Sequence, residues 1–131
     1  MNKFAFHKMD AIKGTIPFFK LEINGEVPIE QFENDLPLVY KGQFNAIHLW
    51  MERCANKQLI PYAKFHPLDE GKEDTGAFEF KTKHLRIYGM SLPGGKIVIF
   101  GGFKGTGQDQ DIKRVKQIAT EIKQQKISPN G

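Results

Sequence analysis

Four basic side chains in the second half of the chain, Lys81, Lys83, Arg86 and Lys104, are the residues most able to do chemistry together. An arginine binds a phosphodiester through two parallel N–H groups and a lysine adds a point charge, so a group of them can hold a phosphate and stabilise charge that develops on it. Tyr88 shares a strand parity with Arg86 and offers a ring on which a base could stack. Taken singly, each lysine reads as a solvated residue on a sheet face. The surrounding charge favours a joint role. Residues 81–131 hold ten Lys and Arg against three acids (+7), while residues 1–80 hold nine against twelve (−3), which together make the +4 of the whole chain. Positive potential gathered in one region steers polyanions toward it, nearly independently of sequence. Nucleic acid is the first expected partner and an acidic protein the second.

Other chemistries have less to stand on. His7, His48, His66 and His84 fall at no ligand spacing, and His48 and Cys54 are separated around a helix, so no metal or other cofactor is expected. Ser91 and Ser128, the two serines, sit in a turn and in the tail, a poor start for acyl chemistry. The run GGFKGTG, Gly101 to Gly107, has neither phosphate-loop nor dinucleotide spacing and reads as a flexible connector from strand to helix. Asp69, Glu70, Glu73 and Asp74 lie among turn formers and read as solvated, and Trp50 reads as core or rim.

The elements that must position the basic group follow from periodicity. Phe18 to Ile23 is strand-like and ends at a turn, Asn24-Gly25, with Phe4 and Phe6 a candidate partner strand. Pro28 suits a first helical position, and Ile29, Phe32 and Leu36 keep helical spacing until Pro37. Phe44, Ile47, Met51, Cys54 and Ala55 form one stripe of a second helix, expected to pair antiparallel with the first. Residues 61–76 read as a loop. Phe78 and Phe80 alternate with charges, a tight turn or bulge is required near Lys83-His84, and Pro93-Gly94-Gly95 turns the next strand back. Ile97 to Phe100 is an unbroken apolar run, so that strand is expected to be central. Asp109 or Asp111 is expected to cap a last helix whose stripe is Ile112, Val115, Ala119 and Ile122.

The order β(β)ααβββα predicts an α+β fold, with a small, mainly antiparallel sheet, an N-terminal helical hairpin and a C-terminal helix. Its 131 residues suit one domain, 1–131, with 127–131 a frayed tail. A lone Cys54, an N-terminus broken by His7, Lys8, Asp10 and Lys13, and no membrane-length apolar run predict a cytoplasmic protein without a membrane partner.

Three segments and their order resemble the RelE/HigB-like toxins of bacterial type II toxin-antitoxin systems. They are Gly76-Ala77-Phe78-Glu79-Phe80-Lys81, then Leu85-Arg86-Ile87-Tyr88, then Gly95 to Lys104 (GKIVIFGGFK) with a helix from near Asp109. The match covers about residues 76 to 124, and the lead-in from Phe18 to Lys57 fits the same topology. The resemblance implies an mRNA endoribonuclease, often ribosome-bound, in which the 2'-hydroxyl attacks the adjacent phosphate. It further implies a small antitoxin, expected to be of helix-turn-helix type, that neutralises the toxin.

Carried over by position, Arg86 would hold the scissile phosphate, and Lys81 and Lys104 would complete the catalytic set. Lys83, Tyr88, Lys113 and Arg114 would then contact RNA. Glu79 and Gly105 stand where family members place bases, and Gln108-Asp109 where some place a tyrosine. Those departures motivate an alternative, a binding module of the same fold that does not cleave, either gyrase-inhibitor-like or a degenerate toxin that only binds its antitoxin. A plain nucleic-acid accessory protein is the third class, and neither a recognition helix nor an RNA-binding aromatic pair speaks for it.

Overall fold

Two strands come first. The computed structural model describes residues 1–129, in which β1 (Phe4–Lys8) and β2 (Phe18–Ile23) precede α1 (Pro28–Asp35), a 3-10 turn (Leu38–Tyr40) and α2 (Lys41–Ala55). Then follow β3 (Phe65–Pro67), β4 (Ala77–Lys81), β5 (Leu85–Leu92), β6 (Gly95–Phe103) and α3 (Gln108–Gln125). The six strands form one sheet in the order β1-β2-β6-β5-β4-β3. Only β2 and β6 run parallel, so the protein is α+β with a mixed sheet.

Each face of the sheet is covered. Phe18, Phe78, Phe80, Leu85, Ile87 and Val98 meet Ile29 of α1 and Phe44, Ile47 and Met51 of α2 on one side. Leu21, Tyr88, Met90, Ile97, Ile99 and Phe100 meet Val115, Ile118, Ala119 and Ile122 of α3 on the other. Strand β6 therefore lies between two cores, which is why its apolar run is unbroken. A bulge lets two neighbours face α3 together: Tyr88 opposes Phe100 and Gly89 opposes Val98, so Ile99 is the extra residue. Gly89 is itself required, because a Cβ there would stand 2.6 Å from the ring of Phe78. Each fully buried Val or Ile contributes about 1.5–3 kcal/mol, so Val115, Ile118 and Ile122 fix α3 to the sheet as a structural layer.

Local chemistry explains most boundaries. Pro28 opens α1 and the buried stripe of α2 is Phe44, Ile47, Met51, Cys54 and Ala55, as periodicity predicts. Asn24 and Gly25 both take positive φ (52° and 87°) at the end of β2.

Four expectations are corrected. The helical hairpin is internal, not N-terminal, because the β1-β2 hairpin is paired in full register from Phe4↔Ile23 to Lys8↔Phe19. Its helices lie side by side on the sheet, α1 over β2 and β6 and α2 over β4 and β5. The loop over 61–76 contains β3, which adds to the edge of β4 through Phe65↔Phe80 and Pro67↔Phe78. The N-cap of α3 is neither aspartate: Gly107, at φ 67°, occupies that position with no side-chain cap, and Asp109 and Asp111 fall in the first turn. The tail is partly docked, since Ile127 packs against the α3-side core; positions 130 and 131 of the expected frayed tail lie outside the described residues. Among the described residues no helix is long and apolar enough to cross a membrane.

Candidate nucleic-acid interface

The strand register brings the basic group to one end of the sheet. Lys81, the last residue of β4, is paired directly with Arg86 of β5, and Arg86 is paired with Gly102 of β6. Beyond that row the β4-β5 turn carries Lys83 and His84, and Lys104 continues β6, its backbone N–H donating to the carbonyl of His84 at 2.8 Å. Lys83, His84 and Lys104 are exposed and Lys81 is half-buried. Among the described residues, none of Lys81, Lys83 and Lys104 pairs with a carboxylate. Like charges gathered at one end of the sheet without counter-charges suit a multivalent anion.

Arg86 and Tyr88 do not belong to that accessible surface. Both point to the sheet face that α3 covers, and Arg86 is only 6 % exposed while Tyr88 is 0 % exposed. The Nη1 group of Arg86 donates to the carbonyls of Thr82 and Leu85, at 2.7 and 2.8 Å, and its Nε is buried without a partner. Neither side chain is therefore presented at the surface, where the sequence expects Arg86 to meet a scissile phosphate and Tyr88 to offer a stacking face. A charged residue in an alternating strand does not reveal which face a distant helix will cover.

Beside them runs a buried polar row. Glu79 is opposite Tyr88 and accepts a contact from His66 of β3, Nε2 to Oε1 at 3.3 Å. The Asp111 carboxylate lies against Gly102, where a Cβ would stand 2.5 Å from its Oδ2. Burial raises the Asp111 carboxyl above its ordinary range, with Arg114 opposing. Burial also pushes the Tyr88 hydroxyl far up, helped by the negative charges of Glu79 and Asp111. Glu79 Oε2, Arg86 Nε and Tyr88 OH are the buried side-chain atoms without a partner among the described residues, and all three lie in this row. Burying such groups costs free energy, so the row is a weak point of the core.

The turn that presents the rim is tightly built. Thr82 N–H donates to the Leu85 carbonyl and Leu85 N–H to Thr82 Oγ1, both at 3.1 Å, while Arg86 clamps the two carbonyls from behind. Gln43 of α2 reaches across: its Oε1 accepts from Thr82 Oγ1 at 2.6 Å and from His84 N–H at 2.9 Å. Its Nε2 lies 2.8 Å from Nδ1 of His84. Tyr40 packs on the imidazole with ring centres 5.3 Å apart, and on Phe103 at 5.5 Å. Gln43 and His84 are site residues that the sequence does not announce, since His84 invites notice there only as a candidate metal ligand and as a turn position. Their contact spans 41 positions, beyond the reach of any spacing rule.

The bases of α3 divide. Lys113 and Arg114 are exposed, although the Arg114 guanidinium lies 4.6 Å from the centre of the Phe100 ring. Lys116 pairs with Glu73 at 2.8 Å, and Lys123 donates to the Asp74 carbonyl at 2.7 Å. The acidic loop is thus fastened to α3 and masks part of the positive half. Its Asp69 carboxylate also accepts from Gly76 N–H at 2.9 Å, so it organises the loop in which it was expected to be merely solvated. No cluster of three or more possible metal ligands occurs among the described residues.

No family model, curated protein or solved structure matches the chain.

Proposed function

We propose that this chain is a RelE/HigB-like module that binds RNA at the basic rim of Lys81, Lys83 and Lys104, and that it holds the RNA without cutting it. The observation that carries the reading is that three cations with no carboxylate partner among the described residues, Lys81 at the end of β4, Lys83 in the β4-β5 turn and Lys104 just past β6, share one end of the sheet, around a turn braced by Gln43 and Arg86. Support comes from the order β2, α1, α2, β4, β5, β6, α3, a helical hairpin before three strands and a closing helix, to which β1 and β3 are added. Binding is preferred to cleavage because the guanidinium that would stabilise the phosphate is buried and occupied by two backbone carbonyls. Arg86 is then a residue that shapes the rim.

The partners that accompany this reading are messenger RNA, the ribosome and a small helix-turn-helix antitoxin, in the cytoplasm. The endoribonuclease toxin is the second reading. It is favoured by the rim itself, since ammonium groups that reach a common phosphate would stabilise charge developing on it during 2'-hydroxyl attack.

The test is to add purified protein to a translating extract and follow mRNA length and mRNA retained on the protein together. Retention with full-length mRNA is the expected result. Fragmented mRNA would replace it with the toxin reading, and neither retention nor fragmentation would end both.

A further inference from the structure

We propose that His84, oriented by Gln43, is a phosphate-recognition residue of the rim, presenting one Nε2–H donor at the end of the sheet that carries Lys83 and Lys104. The inference rests on the RNA-binding reading and names the contact that reading lacks. A backbone N–H can only donate, so the Gln43 atom that faces His84 N–H at 2.9 Å is the amide oxygen. The Thr82 hydroxyl, at 2.6 Å from the same atom, supports that orientation. The other end of the amide is therefore the NH2 group, and it too can only donate. At 2.8 Å it meets Nδ1 of His84, which must be the acceptor. The ring proton is thereby placed on Nε2.

That Nε2–H has no partner among the described residues, and His84 is exposed. Gln43 holds Nδ1, and the Tyr40 ring packs against the imidazole at a tilt, with centres 5.3 Å apart, so the ring is held in this orientation. On its flanks lie Lys83, next in the chain, and Lys104, whose backbone N–H is bonded to the His84 carbonyl. A fixed donor on a turn whose neighbours are two exposed lysines suits a phosphate, which has oxygens enough to accept from all three. A carboxylate has fewer acceptor oxygens to share among them. The same geometry assigns the imidazole a binding task, because a nitrogen that already carries its proton cannot serve as a base.

The test uses full-length protein labelled with 15N-histidine, and a long-range 1H–15N spectrum assigned with His84→Ala. Before any ligand, His84 should show the Nε2–H pattern, and Gln43→Leu should abolish its uniqueness while the fold, read from the remaining histidine signals, is kept. A purely structural Gln43 would leave the tautomer unchanged, and that result overturns the assignment. Single-stranded RNA and inorganic phosphate are then titrated separately. Both should move the His84 Nε2 resonance, and His84→Ala should weaken RNA binding roughly tenfold, as expected for removal of one charge-assisted hydrogen bond.

RNA that binds with the His84 signal unmoved and with His84→Ala at wild-type affinity would overturn the inference while leaving RNA binding intact. Phosphate that moves His84 while RNA does not bind would keep the phosphate site and sink the RNA reading. No response to either would sink both.

Discussion

Arg86 reaches back four residues to Thr82, whose carbonyl accepts its guanidinium N–H at 2.7 Å, and the same nitrogen donates to Leu85. A charged group that looks catalytic in the sequence is in this way the pin of a turn. Replacing it with alanine removes two hydrogen bonds; the Leu85 carbonyl keeps the Thr82 N–H, while the Thr82 carbonyl loses its guanidinium donor. Arg86→Ala should therefore cost about 2–4 kcal/mol in chemical denaturation, and Arg86→Lys should restore part of it, because both bonds come from one nitrogen and an ammonium also donates more than once. Lys83→Ala, on the exposed rim, should stay within about 0.5 kcal/mol of wild type. Equal stability of Arg86→Ala and Lys83→Ala would show that Arg86 does not hold the turn.

Tyr88 makes a prediction with a pH sign. Its folded-state value is raised above the ordinary 10.0, first by burial and then by Glu79 and Asp111, so the protonated phenol is favoured in the fold. The unfolded chain releases that proton first as pH rises. Stability is thus fully present below the ordinary value and declines above it. Tyr88→Phe should remove this part of the alkaline decline. Because the hydroxyl has no partner, the variant should be as stable at neutral pH as wild type, or up to about 1 kcal/mol more stable. Denaturation curves at neutral pH and at alkaline pH check both statements.

The same two residues show where the sequence was legible and where it was not. Strand β2, the stripe of α2, the β4-β5 turn and the central place of β6 each follow from local spacing: Phe44, Ile47 and Met51 can share a face only on a helix, and Ile97 to Phe100 needs cover on both sides. The basic cluster was legible for the same reason, since strands of known order place Lys81, Lys83 and Lys104 at one end. What failed depends on distant contacts. The α3 stripe announces that some face is covered, but not that the face is the one bearing Arg86 and Tyr88. Strand β3 has three residues, one of them Pro67, too few for an alternation to show. The start of α3 is not marked by an aspartate because Gly107, left-handed and without a side-chain acceptor, holds the N-cap position and both aspartates fall inside the first turn.

The acidic loop makes an electrostatic prediction. Glu73 and Asp74 face Lys116 and Lys123, and both acids are exposed, so their pairs add little to stability. Glu73→Gln with Asp74→Asn should leave unfolding within about 0.5 kcal/mol. The variant also unmasks two positive charges on α3 and should raise the rate of association with RNA at low salt, an advantage that fades as salt is added. Stopped-flow binding at two ionic strengths reads the effect. An unchanged rate at low salt would mean that α3 lies outside the field that RNA feels.

The central claim is that Lys83 and Lys104 meet phosphate groups. The most direct measurement is the affinity of a labelled single-stranded RNA across a salt series, for wild type beside Lys83→Ala with Lys104→Ala. Removing one phosphate-binding cation lowers the slope of log affinity against log salt by about 0.7 on a single strand, so the double variant should bind more weakly with a slope shallower by about 1.4. The same affinity and the same slope in both proteins would contradict the claim and move the RNA, if it binds, to another face.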